Sequence, residues 1–394
     1  MFEALAEQPS DSLLALIKAF AADPRPGKID LGVGVYRDEE GRTPVMAAVK
    51  AAETILLREQ DSKSYLGPEG DVAFVERLAP IVLGAEQAAS PRLAGIQTPG
   101  GSGALRLGAE LVAAARPGAR VWLGMPSWPN HAPVLKAGGL VVTSYEAVDL
   151  AGQTLLFEAM IAALSQAAAG DVVLLHGCCH NPTGIDPDAA QWRVLADLVA
   201  RRGLVPFVDL AYQGLGRGLE EDAEGLRTVL AAADEALVAY SCDKNFGLYR
   251  DRTGALYVLA RDARAAGAVA SNLKALSRVN WSMPPDHGAA AVRLVLERDD
   301  LAAQWRGELA AMAERIRAVR TALAAREPRL AFVAAQNGLF SNLAIDRSGI
   351  EALRARHGVY MADSGRINLA GLRLAEVDRL VAALDAVGAF AGAH

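Results

Sequence analysis

Lys244 follows directly on the apolar run 236–240 in the stretch ALVAYSCDKNFGLYRDRTG. That run has the composition of a buried strand. Burying an ammonium is costly unless it is paired or chemically changed. Conversion to an imine removes the cost; a solvated loop lysine is the plainer alternative. A second candidate pair lies upstream in LVPFVDLAYQG, where Asp209 is an acid embedded in an apolar strand and Tyr212 follows three residues later. A carboxylate in that setting needs a positive partner. A third feature is TPGGSGALR, residues 98–106, a glycine-rich turn opening into a helical stretch. Helix N-termini present unpaired N–H groups and a partial positive charge. Gly101, Ser102 and Gly103 therefore form either a cradle for one phosphate monoester or simply a helix start. No GK[ST] follows, and no GxGxxG occurs in the chain's other glycine pair, IDLGVGVY, so neither nucleotide fingerprint is present.

Other residues are ambiguous by themselves. Trp128, in PSWPNH at the end of the strand-like RVWLG, is either core or a flat face for stacking. His131 reads as a satisfied structural histidine. Gly32 and Gly34 mark either strand bulges or a close approach of backbone to ligand. His176, Cys178, Cys179 and His180 in DVVLLHGCCHNPTG raise a metal reading. A structural zinc site draws four ligands from paired motifs, and no second cluster exists, so no metal is expected. Asn181 precedes Pro182, which favours an extended turn able to aim an amide. Arg366, between small residues in SGRINLAG, could grip a carboxylate bidentately.

Together, SCDKNFGLY with Arg252 eight residues after the lysine, LGVGVYRDEEGRTPV, SYLGPEG, TPGGSGALR, PSWPNH, HGCCHNPTG, VDLAYQG, NWSMPPDHG and SGRINLAG cover nearly the whole chain in order. They resemble the class I, fold-type-I pyridoxal-phosphate aminotransferases, and within them the aspartate and aromatic branch. The resemblance implies that Lys244 holds pyridoxal phosphate as a covalent Schiff base and, once freed, serves as the catalytic base. It makes Asp209 the partner of the pyridine nitrogen, and Tyr212 and Asn181 the contacts of the phenolic oxygen, with Trp128 stacked on the ring. Gly101, Ser102, Gly103, Ser241, Arg252 and Tyr65 of the partner subunit would hold the phosphate. Arg366 would take the substrate α-carboxylate, with Gly34, Trp128 and Asn181 bordering the substrate. Arg278 of the partner subunit, in SRVNWSMPP, would take a side-chain carboxylate. His131 would bond to Asp209.

The implied reaction is ping-pong transfer of an amino group between L-aspartate, aromatic L-amino acids or both, and 2-oxoglutarate. Narrow aspartate specificity ranks second. A lyase, a catalytically silent relative and a metal hydrolase built on His176 and His180 are further alternatives. Val35, Arg37 and Thr43 border the pocket in the family. Ser102 in place of threonine, and Met283, could leave room for rings. One position departs from the pattern: Asp243 stands directly before the lysine, where relatives commonly carry serine or another small neutral residue. Assuming a β-like segment, neighbouring side chains point to opposite sides, so Asp243 is expected to face away from the site and pair with a nearby cation.

Such a constellation needs strand ends to hold it. Alternating strand-like and helical stretches across residues 44–300 predict an α/β domain with a mostly parallel sheet and the candidates at the strand ends; the resemblance implies the fold-type-I arrangement, a seven-stranded sheet flanked by helices. A long helix over 302–325 leads into a smaller α+β domain. The division expected is an N-terminal arm at 1–9, a small domain of 10–43 plus 308–394, and a large cofactor-binding domain of 44–307. Composition agrees with an ordinary globular enzyme: 394 residues, 52% apolar, 22% charged and a net charge of −6 with both signs interspersed. No nucleic-acid footprint and no membrane span of ~18 apolar residues is expected. Three cysteines without a CxxC fit a reducing cytoplasm. The family implies a homodimer with amino acids and 2-oxo acids as its small-molecule partners.

Overall fold

A computed structural model describes residues 1–7 and 12–390. In the sequence, Pro9-Ser10-Asp11 before the apolar run SLLALIKAFAAD reads as the cap of a first helix; those three residues lie outside the described residues. The larger body is built on seven strands: β1 (Leu93–Pro99), β2 (Arg120–Met125), β3 (Val141–Glu146), β4 (Val172–His176), β5 (Val205–Leu210), β6 (Ala236–Ser241) and β7 (Thr253–Leu259). Their spatial order is β1-β7-β6-β5-β4-β2-β3. Only β7 runs antiparallel, pairing with β1 on one side and β6 on the other.

The central strands are buried along their whole length because both faces are covered. Alternate residues serve two separate cores. Leu174, Phe207, Leu237 and Val258 point to one. Leu175, Val208, Val238 and Tyr257 point to the other. The period of two appears in the packing, although the sequence there is continuously apolar.

Helix α1 (Gly100–Ala115) follows β1 and packs against β6 and β7. Gly108 permits this approach, since a Cβ there would lie 2.5 Å from the Phe207 ring. Helix α2 (Ala189–Arg202) begins at Asp188, whose side chain forms a capping box with Gln191, and ends at Gly203 in the left-handed region. In the sequence, Asp186 followed by Pro187 reads as a cap and helix start; the cap is instead Asp188. Asp186 instead accepts the N–H groups of Cys179 and His180 and fixes the β4 turn.

Helix α3 (Ala263–Asn280) covers the outer face of β1. Helix α4 (Asp299–Arg326) has 28 residues and spans about 42 Å. It links two cores: Trp305, Leu309, Met312 and Ile316 belong to the larger body, and Val319 and Leu323 to a smaller one. The smaller body takes residues from both ends of the chain. Ile29–Asp30 pairs in parallel with Val359–Tyr360, and Phe340–Asn342 pairs antiparallel with Arg366–Asn368. The extended run expected over 29–36 is a strand only at Ile29–Asp30. Beyond it, Asn368 Nδ2 donates to the carbonyls of Val33 and Val35, replacing a ladder with a side-chain tether.

Candidate active site

The carboxyl ends of β1, β4, β5 and β6 converge on a cavity of about 270 Å³. This is where parallel sheets place ligands. Its wall includes Gly34, Gly101, Ser102, Trp128, Asn181, Asp209, Tyr212, Ser241, Lys244 and Arg252. These residues span more than two hundred positions of sequence.

Lys244 sits on the turn just after β6. Burial lowers its pKa from the ordinary value near 10.5; the carboxylates of Asp243 and Asp209 oppose that shift, and the Arg252 charge adds to it. Its Nζ lies 5.2 Å from the centre of the Tyr212 ring. Tyr212 is buried, and burial raises its phenol well above the usual range. Asn181 Nδ2 donates to its hydroxyl at 3.3 Å.

Register aligns Asp209 on β5 with His176 on β4 and Ala239 on β6. His131 Nε2 lies 2.9 Å from Asp209 Oδ2, and its Nδ1 lies 2.7 Å from Ser127 Oγ. Ser127 Oγ in turn lies 3.1 Å from His176 Nε2. The chain fixes Asp209 from behind while leaving it on the cavity wall. Burial pushes His176 well below its ordinary value and His180 down to about 3, so both rings are neutral. His180 Nδ1 is engaged with Thr183 Oγ1 at 2.8 Å. Among the described residues, the one close group of potential metal donors is Cys178, Cys179 and Asp222. Asp222 already accepts the N–H groups of Gly214, Gly216 and Arg217, and neither histidine belongs to the group.

At the glycine-rich end, Gly100 has φ +68°, and a Cβ there would lie 2.6 Å from Arg252 Nη2. Only a glycine lets the backbone sit against that guanidinium. Gly101 and Ser102 of the first turn of α1 line the cavity, and Ser241 faces Gly101. Gly103 does not reach the wall; it packs on Pro99.

Arg366 approaches from the smaller body. It donates to Asn181 Oδ1 at 3.4 Å and to the Gly32 carbonyl at 3.0 Å, and its guanidinium lies 4.4 Å from the centre of the Phe340 ring. Its Nε is buried without a partner. No carboxylate among the described residues offsets the burial that lowers its pKa; Tyr212 alone opposes it. A cation held by neutral dipoles in this way is a site for an anion.

Two further expected residues are not gathered here. Tyr65 is 94% exposed on its loop, and Arg278 is exposed in the last turn of α3. Arg37 is ion-paired with Asp30 at 2.5 Å, and Thr43 lines a separate small cavity beside Tyr249 and Met46. The Met283 sulfur accepts the Leu66 N–H at 3.1 Å and takes no part in the cavity wall.

Asp243 corrects one expectation. It pairs with a cation, but that cation is Arg252, and both line the cavity beside Lys244. The segment after Ser241 is a turn, so the alternation of a strand does not apply. Tyr249, Ser127 and Phe340 were not singled out from the sequence. Tyr249 lines the cavity, and its hydroxyl accepts the Tyr36 N–H. Phe340 packs edge-on to Tyr212 and would be struck by a Cβ at Gly34. Nothing local marks Phe340; only the fold brings it across.

Residues 26–384 match the model of the family described as aminotransferase class I and II. The chain is 54% identical to a tyrosine aminotransferase of Rhizobium meliloti, covering 95% of this chain and 97% of that one. It is 45% identical to an aspartate aminotransferase of Salmonella typhi, covering 98% and 100%. An aromatic-amino-acid aminotransferase from Burkholderia pseudomallei, solved covalently bound to pyridoxal phosphate, superimposes with a TM-score of 0.95 at 38% identity, covering 98% and 99%. A sheet, a strand-end cavity and a full-length match agree: the chain belongs to the class I and II aminotransferases, pyridoxal-phosphate-dependent transaminases that exchange an amino group between amino and oxo acids.

Proposed function

We propose that the cavity transfers the amino group of L-aspartate and of aromatic L-amino acids to 2-oxoglutarate, with pyridoxal phosphate carried on Lys244. The observation that carries this reading is the meeting of Lys244 and Asp209 on the wall of one small cavity, with the carboxylate-free Arg366 bonded to Asn181 of that wall. The residues fit the cofactor. Gly100 leaves backbone open against Arg252, the first turn of α1 offers N–H groups, and Asp209 awaits a cation.

When bound, the cofactor supplies an electron sink for charge developing at the substrate Cα. Lys244 Nζ, shifted toward its neutral form by burial, is the base that moves the Cα proton. Asp209, steadied by His131, holds a proton on the ring nitrogen through its charge. Tyr212 Oη and Asn181 Nδ2, already joined, would hold the phenolic oxygen of the cofactor, and Trp128 on the same wall would offer a flat apolar surface to its ring. Gly101, Ser102, Ser241 and Arg252 bind the phosphate. Arg366 grips the α-carboxylate and thereby sets the direction of Cα.

The reading includes a homodimer in the cytoplasm, in which Tyr65 and Arg278 each serve the other copy's site. The exposure of Tyr65 and Arg278, and of the apolar Phe2, Leu5, Leu57 and Val279, supports a covering partner. The three cysteines are free and buried, in keeping with a reducing compartment, and no described helix is long and apolar enough to cross a membrane. The division proposed is an arm at 1–9, a small domain of 10–43 plus 308–394 and a large domain of 44–307. Two hydrophobic clusters support two bodies, and α4 contributes to both.

A half-reaction tests the substrate assignment. The cofactor-loaded protein is mixed separately with aspartate, tyrosine and phenylalanine without oxo acid, and bleaching of the cofactor band is timed. Comparable second-order rates are expected. Arg278→Ala should slow aspartate about tenfold to a hundredfold and leave phenylalanine within about threefold. A large preference for aspartate over both rings would instead establish narrow specificity. No bleaching by any of the three would overturn the transaminase reading of this cavity.

A further inference from the structure

The phosphate end of the cavity contains a carboxylate. Asp243 is 4% exposed; one oxygen pairs with Arg252 Nη1, and the other, Oδ1, is buried with no hydrogen-bond partner. The hairpin brings the two residues of this pair together. Ser241 on β6 lies opposite Gly254 on β7, and Cys242 N donates to the Thr253 carbonyl at 2.9 Å. Residues just past the end of β6 therefore face those just before β7. A Cβ at Gly100 would lie 3.4 Å from Asp243 Oδ2, so the carboxylate stands at the mouth of the α1 cradle itself.

Resting on the cofactor reading above, we propose that Asp243 is a built-in counter-ion of the phosphate subsite, a positioning residue that holds Arg252 beside the cradle and makes capture of a phosphate ester take up a proton. A phosphate monoester above pH ~6 carries close to two negative charges. Delivered beside the Asp243 carboxylate, it would place three negative charges around Arg252 in a poorly solvated pocket. One proton from solvent removes the conflict, giving a single O–H···O⁻ bond between Asp243 and a phosphate oxygen. Two of the groups facing Asp243 are poor sources of that proton: Cys242 is pushed well above its ordinary value by burial, and Tyr249 is raised to about 12. The Lys244 amine is the remaining titratable neighbour, and the test below removes it. The backbone at the start of α1 carries no titratable group.

The test compares wild type with Asp243→Ser by titration calorimetry, using pyridoxine 5′-phosphate, which has no aldehyde to react with Lys244. Measurements at pH 8 in two buffers of different ionisation enthalpy give the protons taken up. Wild type should take up about one proton more than the variant, and the variant should bind about tenfold tighter or better. Repeating the pair in a Lys244→Met background removes the amine as a proton source and should preserve the difference. Thermal melts guard against a merely structural effect: without ligand Asp243→Ser should melt lower, having lost the partner of Arg252, whereas the increment on adding ligand should be larger. Binding to both proteins with equal proton uptake and equal affinity would overturn the proposal and leave the cofactor reading standing. Binding to neither would overturn both.

Discussion

Two arginines stand at one cavity, Arg252 on its wall and Arg366 bonded to Asn181 of that wall, and they are kept in opposite ways. Arg252, at the phosphate end, has an acidic partner from its own hairpin. Arg366, at the other end, has an amide oxygen, a backbone carbonyl and an aromatic face, with no carboxylate. The unpaired one is the more costly to maintain, since a cation removed from water and left without an anion is destabilising. On the proposed reading that cost is a reserve for binding: an incoming α-carboxylate would meet a guanidinium with nothing to displace. On the proposed reading, the phosphate must instead displace Asp243 from Arg252 or be accompanied by a proton from solvent. The contrast separates a group exchanged at every turnover from one loaded once and retained.

Both halves of the contrast depend on Lys244, so its loss should have the largest effect. Lys244→Ala is expected to lower kcat by about 10⁴-fold or more, measured with aspartate and 2-oxoglutarate, because the base and the point of attachment go together. Next is Arg366→Ala, expected to lower kcat/KM by about 10² to 10³-fold for every amino acid tested, while cofactor affinity stays within about threefold. Arg252→Ala should do the reverse, weakening cofactor binding about tenfold while kcat at saturating cofactor changes little. Asp243, relieved of its partner, adds to the loss by repelling the phosphate. If the two arginine variants gave the same profile, the division of labour between the ends would be wrong.

The smallest effect concerns stability. The folded pKa of Lys244 lies below its ordinary value near 10.5, so between the two values the unfolded chain binds more protons than the folded one. Stability of the cofactor-free protein should therefore rise with pH through that window. Lys244→Met should raise the melting temperature near pH 7 by roughly a degree or two, an advantage that shrinks as pH climbs toward 10.5.

Much of this site can be read along the chain because its parts are local. The apolar run of β6 delivers Lys244, the run of β5 delivers Asp209, and the glycines before α1 announce an anion cradle within a few residues of each other. What could not be read is what the fold assembles from a distance. Phe340 and Asn368 sit in unremarkable stretches, yet one packs against Tyr212 and Arg366, and the other tethers Val33 and Val35. Asp243 failed for a different reason. Its partner is nine residues away and the pairing was foreseeable, but its side depended on whether the chain after Ser241 is strand or turn. Composition does not decide that; the β6–β7 register does. The cap of α2 was misplaced by two residues because Asp186 and Asp188 are alike in type, and only packing shows that Asp186 serves the turn after β4.

The most direct test of the central claim is to locate the cofactor's covalent attachment. The loaded protein is reduced with borohydride, digested and mapped by mass spectrometry, in wild type and in Lys244→Ala. One stable pyridoxyl adduct is expected, on the peptide containing Lys244, and none in the variant. An adduct on another lysine, or amino-group transfer persisting in Lys244→Ala with no adduct at all, would contradict the assignment of this cavity.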